Sequence, residues 1–169
     1  KAAKTGDKKA VLEPWDMAYY KNILLKEKYA RDLEELRVFF QMENVLYGMF
    51  EVYEKIFGIT IERTLAPYKW FDGLQFFVVS DKKTKEPLGT LYLDLYPREG
   101  KYPHFAQFNV LSGKKLKDGK FQRPISVLVC NFPKPTSNKP SLLKYTQVET
   151  LFHEFGHALH NILSKTDYA

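Results

Sequence analysis

The chain has 169 residues, of which 44% are hydrophobic and 15% aromatic, enough for one folded domain with a core and too apolar for a disordered segment. Its formal charge is +6, but the lysines are scattered over small groups at 1–9, 82–85 and 114–120, which reads as a solvated surface and gives no nucleic-acid signature. A single cysteine, Cys130, excludes an internal disulfide framework, and no run of 18 apolar residues is present to span a membrane.

Residues 1–12 read as a disordered terminus ahead of Glu13-Pro14-Trp15-Asp16. Asp16 is placed to cap a helix over 17–30, and Asp32-x-x-Glu35 resembles the start of a short helical turn carrying Leu36, Phe39 and Phe40. The next helix covers 41–57. Its apolar positions Met42, Val45, Leu46, Met49, Phe50, Tyr53, Ile56 and Phe57 fall at three- and four-residue steps, and Gly58 ends it. This stripe reads as core.

The period then changes from helical to alternating. Strands are expected at 59–62, 74–80, 88–95, 104–111 and 124–132, with a polar turn at 81–86, a loop at 97–103 and a Lys- and Gly-rich hairpin tip at 112–120. The near-continuous apolar run of 124–132 suggests a central strand. Residues 133–140 hold three prolines and lead into a last helix from about 144 to 164. The class is therefore α+β: N-terminal helices over 14–58, a small mostly antiparallel sheet over 59–132, then a buried helix over 141–165.

That last helix carries His153-Glu154-Phe-Gly-His157. Residues four apart stand above one another on one helix face, so His153 and His157 can offer two imidazoles to one zinc ion, with Glu154 beside the metal as general base. A catalytic zinc site keeps a position open for water, and this pattern is the signature of metal-dependent peptide hydrolysis. Apolar residues surround the motif on nearly all sides, which implies a buried helix whose polar groups need a partner. His160 lies seven residues past His153, about 10 Å along the axis at 1.5 Å per residue, too far to close a tetrahedral site on a straight helix. It reads as a packed residue or one that supports the ligands. A sheet edge near the site would suit an extended peptide, and the strand from about His104 with its preceding loop is the candidate. An ordinary edge turned away from the site is equally compatible with the pattern.

His153-Glu-Phe-Gly-His-Ala-Leu-His160 resembles the zinc signature of the M3 family of metallopeptidases. Leu93-Asp94-Leu-Tyr-Pro-Arg98-Glu-Gly-Lys101, Pro14-Trp15-Asp16-x-x-Tyr19-Tyr20 and Asn131-Phe-Pro-Lys-Pro resemble the same family and fall in its order. The resemblance implies one zinc ion held by His153 and His157, Glu154 as general base, and short peptides as substrates. No nucleic acid or membrane is implied as a partner. It implies a third ligand, a glutamate, on a later helix beyond Ala169, and so an internal piece of one catalytic domain. Tyr102, His104 and Phe105 are the candidate substrate-binding residues. They lie closer to the pattern of thimet-type members than to that of the peptidyl-dipeptidases. With one cysteine and no signal-peptide pattern, the expected compartment is the cytoplasm. The alternative from another class is a non-catalytic zinc-binding or interaction fragment.

Overall fold

A computed structural model describes residues 13–29 and 34–166. The expected disordered terminus at 1–12 and the capping pattern beginning at Asp32 fall on or across residues outside that set. The chain divides into two compact units, 1–36 and 37–169. In the first, helix α1 runs Asp16–Tyr29. Asp16 is the first helical residue and not the cap before it. Its carboxylate accepts the main-chain N–H of Glu13 at 3.1 Å.

The second unit begins in the 3-10 turn Glu35–Phe39 and continues into helix α2, Met42–Phe57. Met42, Leu46, Met49 and Phe50 are buried at the expected helical spacing. The stripe stops short of its predicted end, because Ile56 and Phe57 are exposed. Gly58 closes the helix in the left-handed region at φ 65°, its N–H donating to the carbonyl of Glu54. A side chain there would be strained, which is why glycine terminates helices this way.

Seven strands follow: β1 Ile59–Thr64, β2 Gln75–Asp81, β3 Pro87–Asp94, β4 Ala106–Leu111, β5 Lys114–Lys115, β6 Phe121–Gln122 and β7 Ile125–Val129. Five of them form one sheet in the order β1-β2-β3-β7-β4, and β5 with β6 makes a separate small hairpin. β3 and β7 are parallel, and every other pairing in the sheet is antiparallel. β7 is thus interior, as its apolar run suggested, while β4 is an edge. The polar turn before β3 is held by Asp81, whose carboxylate accepts the N–H groups of Lys83 and Thr84, both at 2.8 Å. Those bonds hold the Asp81 carboxyl below the usual carboxylate range.

Helix α3, Tyr145–Leu163, lies on the same sheet face as α2. The beginnings of the two helices are tied together: Met42 N–H donates to Ser141 O and Leu143 N–H to Phe40 O, each at 2.8 Å. α3 is buried along one side and not all round. Leu151, Phe155, Ala158, Leu159 and Ile162 face the core, while His153, His157 and His160 are exposed. The apolar stripe is about half the circumference wide, because Phe152 and Leu163 sit on its flanks, half-buried. The main core joins Met49, Phe50, Phe77, Leu91, Leu93, Leu128, Phe132 and Phe155, and Phe50 packs edge-on to Phe77 with centroids 5.1 Å apart.

Candidate active site

The geometry of α3 brings the motif together. The Nε2 atoms of His153 and His157 face one another at 3.1 Å, with ring planes at 84°. Glu154, next in the chain, points toward the sheet. The main-chain N–H of Gln107 on β4 donates to Glu154 Oε2 at 3.0 Å. The edge strand and the motif helix are therefore joined at the carboxylate.

Register explains why β4 presents that chemistry. Cross-strand partners share a sheet face, so Gln107 pairs with Leu128 and Asn109 with Ser126 on the helix side, while Phe108 pairs with Val127 on the other. Along the row Phe77, Leu91, Ser126, Asn109 the surface passes from apolar to polar as it reaches α3. α3 contributes Glu154, His157 and Asn161 at helical spacing. Gln107, Ser126 and Asn161 were not singled out in the sequence. The signal was available in the alternation of Gln107 and Asn109 with Phe108 and Val110.

Tyr102, His104 and Phe105 lie on the loop that leads into β4. Tyr102 and His104 are exposed, with ring centroids 5.3 Å apart, and Asn131 Nδ2 donates to both of their carbonyls at 3.0 and 2.8 Å. Phe105 turns inward and meets the fully buried Phe132 edge-on at 4.9 Å. His160 is exposed and not packed. Among the described residues no group of three His, Cys, Asp or Glu is placed to hold a metal.

The same loop is anchored below by an ion cluster. Asp94, 3% exposed, accepts both guanidinium N–H groups of Arg98 at 2.7 and 2.9 Å and the indole N–H of Trp70 at 3.3 Å. Lys101 lies 2.8 Å from Asp94 Oδ1 and donates to the carbonyls of Asp94, Tyr96 and Cys130. Desolvation pushes the Asp94 carboxyl up, but the bonds from Arg98, Lys101 and Trp70 outweigh it, so its pKa falls below the ordinary value. Burial pushes the Cys130 thiol up to about 12, so this cysteine is no nucleophile. A cavity of about 630 Å³ elsewhere, lined by Phe57, Leu88, Phe121, Lys165 and the Glu86–Arg123 ion pair among others, contains none of the motif residues. Chemistry and not size marks the site.

The whole chain, residues 1–169, matches the family model described as Peptidase family M3. It is 36% identical over 156 residues to a thimet-like oligopeptidase of Dictyostelium discoideum, 38% over 157 residues to saccharolysin of Saccharomyces cerevisiae, and 37% over 158 residues to oligopeptidase A of Escherichia coli. These alignments take in 92%, 89% and 94% of this chain but 23%, 22% and 23% of those relatives. The chain spans somewhat under a quarter of the length of the curated relatives it matches.

Proposed function

This chain belongs to peptidase family M3, and on that premise we propose that it carries the chemical centre of a zinc-dependent oligopeptidase that hydrolyses short peptides with Glu154 as general base. The observation that carries the reading is the pair of imidazole nitrogens at 3.1 Å on one helix face, with a carboxylate on the next residue held by the sheet edge. Two nitrogens each about 2.0–2.1 Å from one tetrahedral zinc stand about 3.3 Å apart, so the donor pair fits the ion closely. Two neutral imidazoles are also the donor chemistry zinc favours. His153 and His157 would hold the metal through Nε2, with a third ligand, a glutamate, expected from the family resemblance on a later helix.

Bound there, zinc supplies Lewis acidity, lowering the pKa of a water molecule and polarising the scissile carbonyl. This chain's own residues supply the general base and its positioning. Glu154 takes the proton of the attacking water as its oxygen bonds to the carbonyl carbon. It gives that proton to the leaving nitrogen as the C–N bond breaks. Gln107 N–H fixes Oε2 and so aims the carboxylate without a mobile side chain. Among the described residues β4 is an edge strand that meets no other strand on its outer side, and an extended peptide could add to it through main-chain hydrogen bonds. The exposed rings of Tyr102 and His104 stand at the start of that edge. Residence in a reducing compartment, the cytoplasm, goes with this reading. No helix among the described residues is long and apolar enough to cross a membrane.

The test uses the natural-length protein loaded with zinc. Glu154→Gln should keep its zinc and lose about 10²–10⁴-fold in kcat, the range for a positioned general base. His153→Ala should lose the metal itself, read by zinc content. Normal turnover in Glu154→Gln would remove the carboxylate from the mechanism. Zinc binding without hydrolysis of any peptide by the unmodified protein would favour a non-catalytic zinc-binding role.

A further inference from the structure

Beside His157, on the side away from His153, a cleft of about 260 Å³ opens between α3 and β4. It is lined by Gln107, Asn109, His157, His160, Asn161 and Ser164. No Asp, Glu, Lys or Arg contributes to its wall. Pockets that enclose whole ligands run roughly 300–1,000 Å³, so this one suits a single side chain and not a whole peptide.

Two carboxamides in that wall are ordered directly by one hydroxyl, and a third is tied to them. Ser126 is fully buried in the middle of β7, in a row where Phe77 and Leu91 are its apolar neighbours. Its Oγ accepts Asn161 Nδ2 at 2.8 Å and Gln107 Nε2 at 3.3 Å. Gln107 Nε2 also donates to Asn109 Oδ1 at 2.6 Å. A buried hydroxyl in an otherwise apolar row is costly unless paired, and here its partners are the two carboxamides that face the cleft. Packing alone would be served as well by alanine. What the serine adds is orientation: it fixes the amide planes of Asn161 and Gln107, one from each wall. Gln107 is also the residue whose main-chain N–H holds Glu154, so the cleft and the reacting carboxylate share a fixed point.

We propose that this cleft is a specificity subsite that takes one uncharged, hydrogen-bonding side chain of the peptide (Asn, Gln, Ser or Thr), with Ser126 as the positioning residue that pre-orients its carboxamides. The proposal rests on the peptidase reading above and adds the substrate class. A charged side chain entering the cleft loses hydration and meets no Asp, Glu, Lys or Arg in its wall. An apolar one leaves the carboxamides without the partner they are oriented to meet, which is how a polar site rejects an analogue lacking the polar group.

The experiment compares the natural-length, zinc-loaded protein with Asn161→Leu, Ser126→Ala and Asn109→Leu. Quenched-fluorescence peptides differ at one position at a time among Gln, Leu, Glu and Lys, and kcat/KM is measured for each. The unmodified protein should prefer Gln to Leu, Glu and Lys by about tenfold at one position, a size set by one or two neutral hydrogen bonds. Asn161→Leu should remove that preference and leave selectivity at other positions unchanged, and Ser126→Ala should weaken it. Asn109 is exposed, so Asn109→Leu keeps the test valid if the variants at buried Ser126 and half-buried Asn161 do not fold. A second readout is independent of turnover: in the Glu154→Gln background, the Gln peptide should bind about tenfold more tightly than the Leu peptide. The subsite is overturned if peptides are cut with no such preference, or if the preference survives all three substitutions. Failure to cut any peptide would overturn the peptidase reading itself, and the subsite with it.

Discussion

One face of the sheet meets two helices, and its two ends are built from opposite materials. Under α2, Ile61, Phe77, Val79 and Leu91 share one apolar cluster with Met49 and Phe50, and Glu54 at its margin accepts the main-chain N–H of Ile61 at 2.7 Å. Under the outer side of α3, Ser126, Gln107 and Asn109 meet Glu154, His157 and Asn161 through a chain of hydrogen bonds. The apolar end buries large side chains and fixes the fold. The polar end buries little and holds a carboxylate and two carboxamides at fixed positions. On the reading proposed above, stability and chemistry fall to different ends of one surface, and single substitutions should separate them.

The sharpest separation sets Glu154→Gln against Phe77→Ala. The first changes one half-exposed atom and should lower kcat by about 10²–10⁴-fold, equal to about 3–5 kcal/mol in the barrier, with the urea midpoint unchanged. The second empties the space of a fully buried ring that Phe50 packs against. It should lower unfolding stability by about 3–5 kcal/mol, measured by urea denaturation, while the folded fraction keeps its turnover. If Phe77→Ala reduced kcat as strongly as stability, the two ends would not be separate.

Asp94 tests whether a buried charge can belong to the stabilising end. Its pKa is below the ordinary carboxylate value, so its ionised form is favoured by folding. The stabilisation is fully present above the unfolded value near 3.8 and is lost as pH falls through the lower folded value. Asp94→Asn should therefore flatten the fall in stability below about pH 4, seen in urea midpoints taken between pH 2 and 5. Asp94→Ala is harsher, because it strands Lys101, whose side chain is 2% exposed. Loss of about 3–5 kcal/mol is expected at neutral pH. An Asp94→Asn protein as acid-labile as the unmodified one would show that the cluster contributes no net stability.

The apolar end was legible in the sequence and the polar end only in part. The stripe of α2, the glycine stop at Gly58, the interior place of β7 and the span of the last helix all follow from spacing, because burial of a repeating face depends on local order alone. The end of the α2 stripe did not, since nothing in the spacing says that Ile56 and Phe57 pass beyond the sheet. The burial of α3 was overread for a related reason: Phe152 and Leu163 count as apolar in a pattern but lie on the flanks of the contact. The approach of His153 and His157 with Glu154 beside them was legible because one helix carries all three. The hold of Gln107 on Glu154 spans 47 residues, and the tie from Asn161 to Ser126 spans 35. Such contacts depend on sheet order, and the order β7-β4, with β7 reached only after β4, is not written in local periodicity.

The smallest expected effect tests whether the two ends communicate through α3. Gly89 sits on β3 opposite Val79, where a Cβ would lie 2.9 Å from the carbonyl oxygen of Pro124 and 3.1 Å from Ile162 Cγ2. Ile162 can turn aside, but the Pro124 oxygen is main chain and can move only if β3 and β7 part slightly. Gly89→Ala should therefore cost about 1–3 kcal/mol of stability by overpacking, a shift of a few degrees in Tm for a chain of this size. Pro124 is two residues before Ser126 and Ile162 one after Asn161, so the strain arises beside the serine–carboxamide pair. Glu154 lies farther off, two turns back along α3, and is held from β4 on the other side of β7. The peptide preference assigned to the cleft should weaken while kcat on the preferred peptide changes by less than about tenfold. A loss of kcat larger than the loss of preference would mean that strain in the apolar end reaches the carboxylate directly, and the division between the two ends would fail at α3.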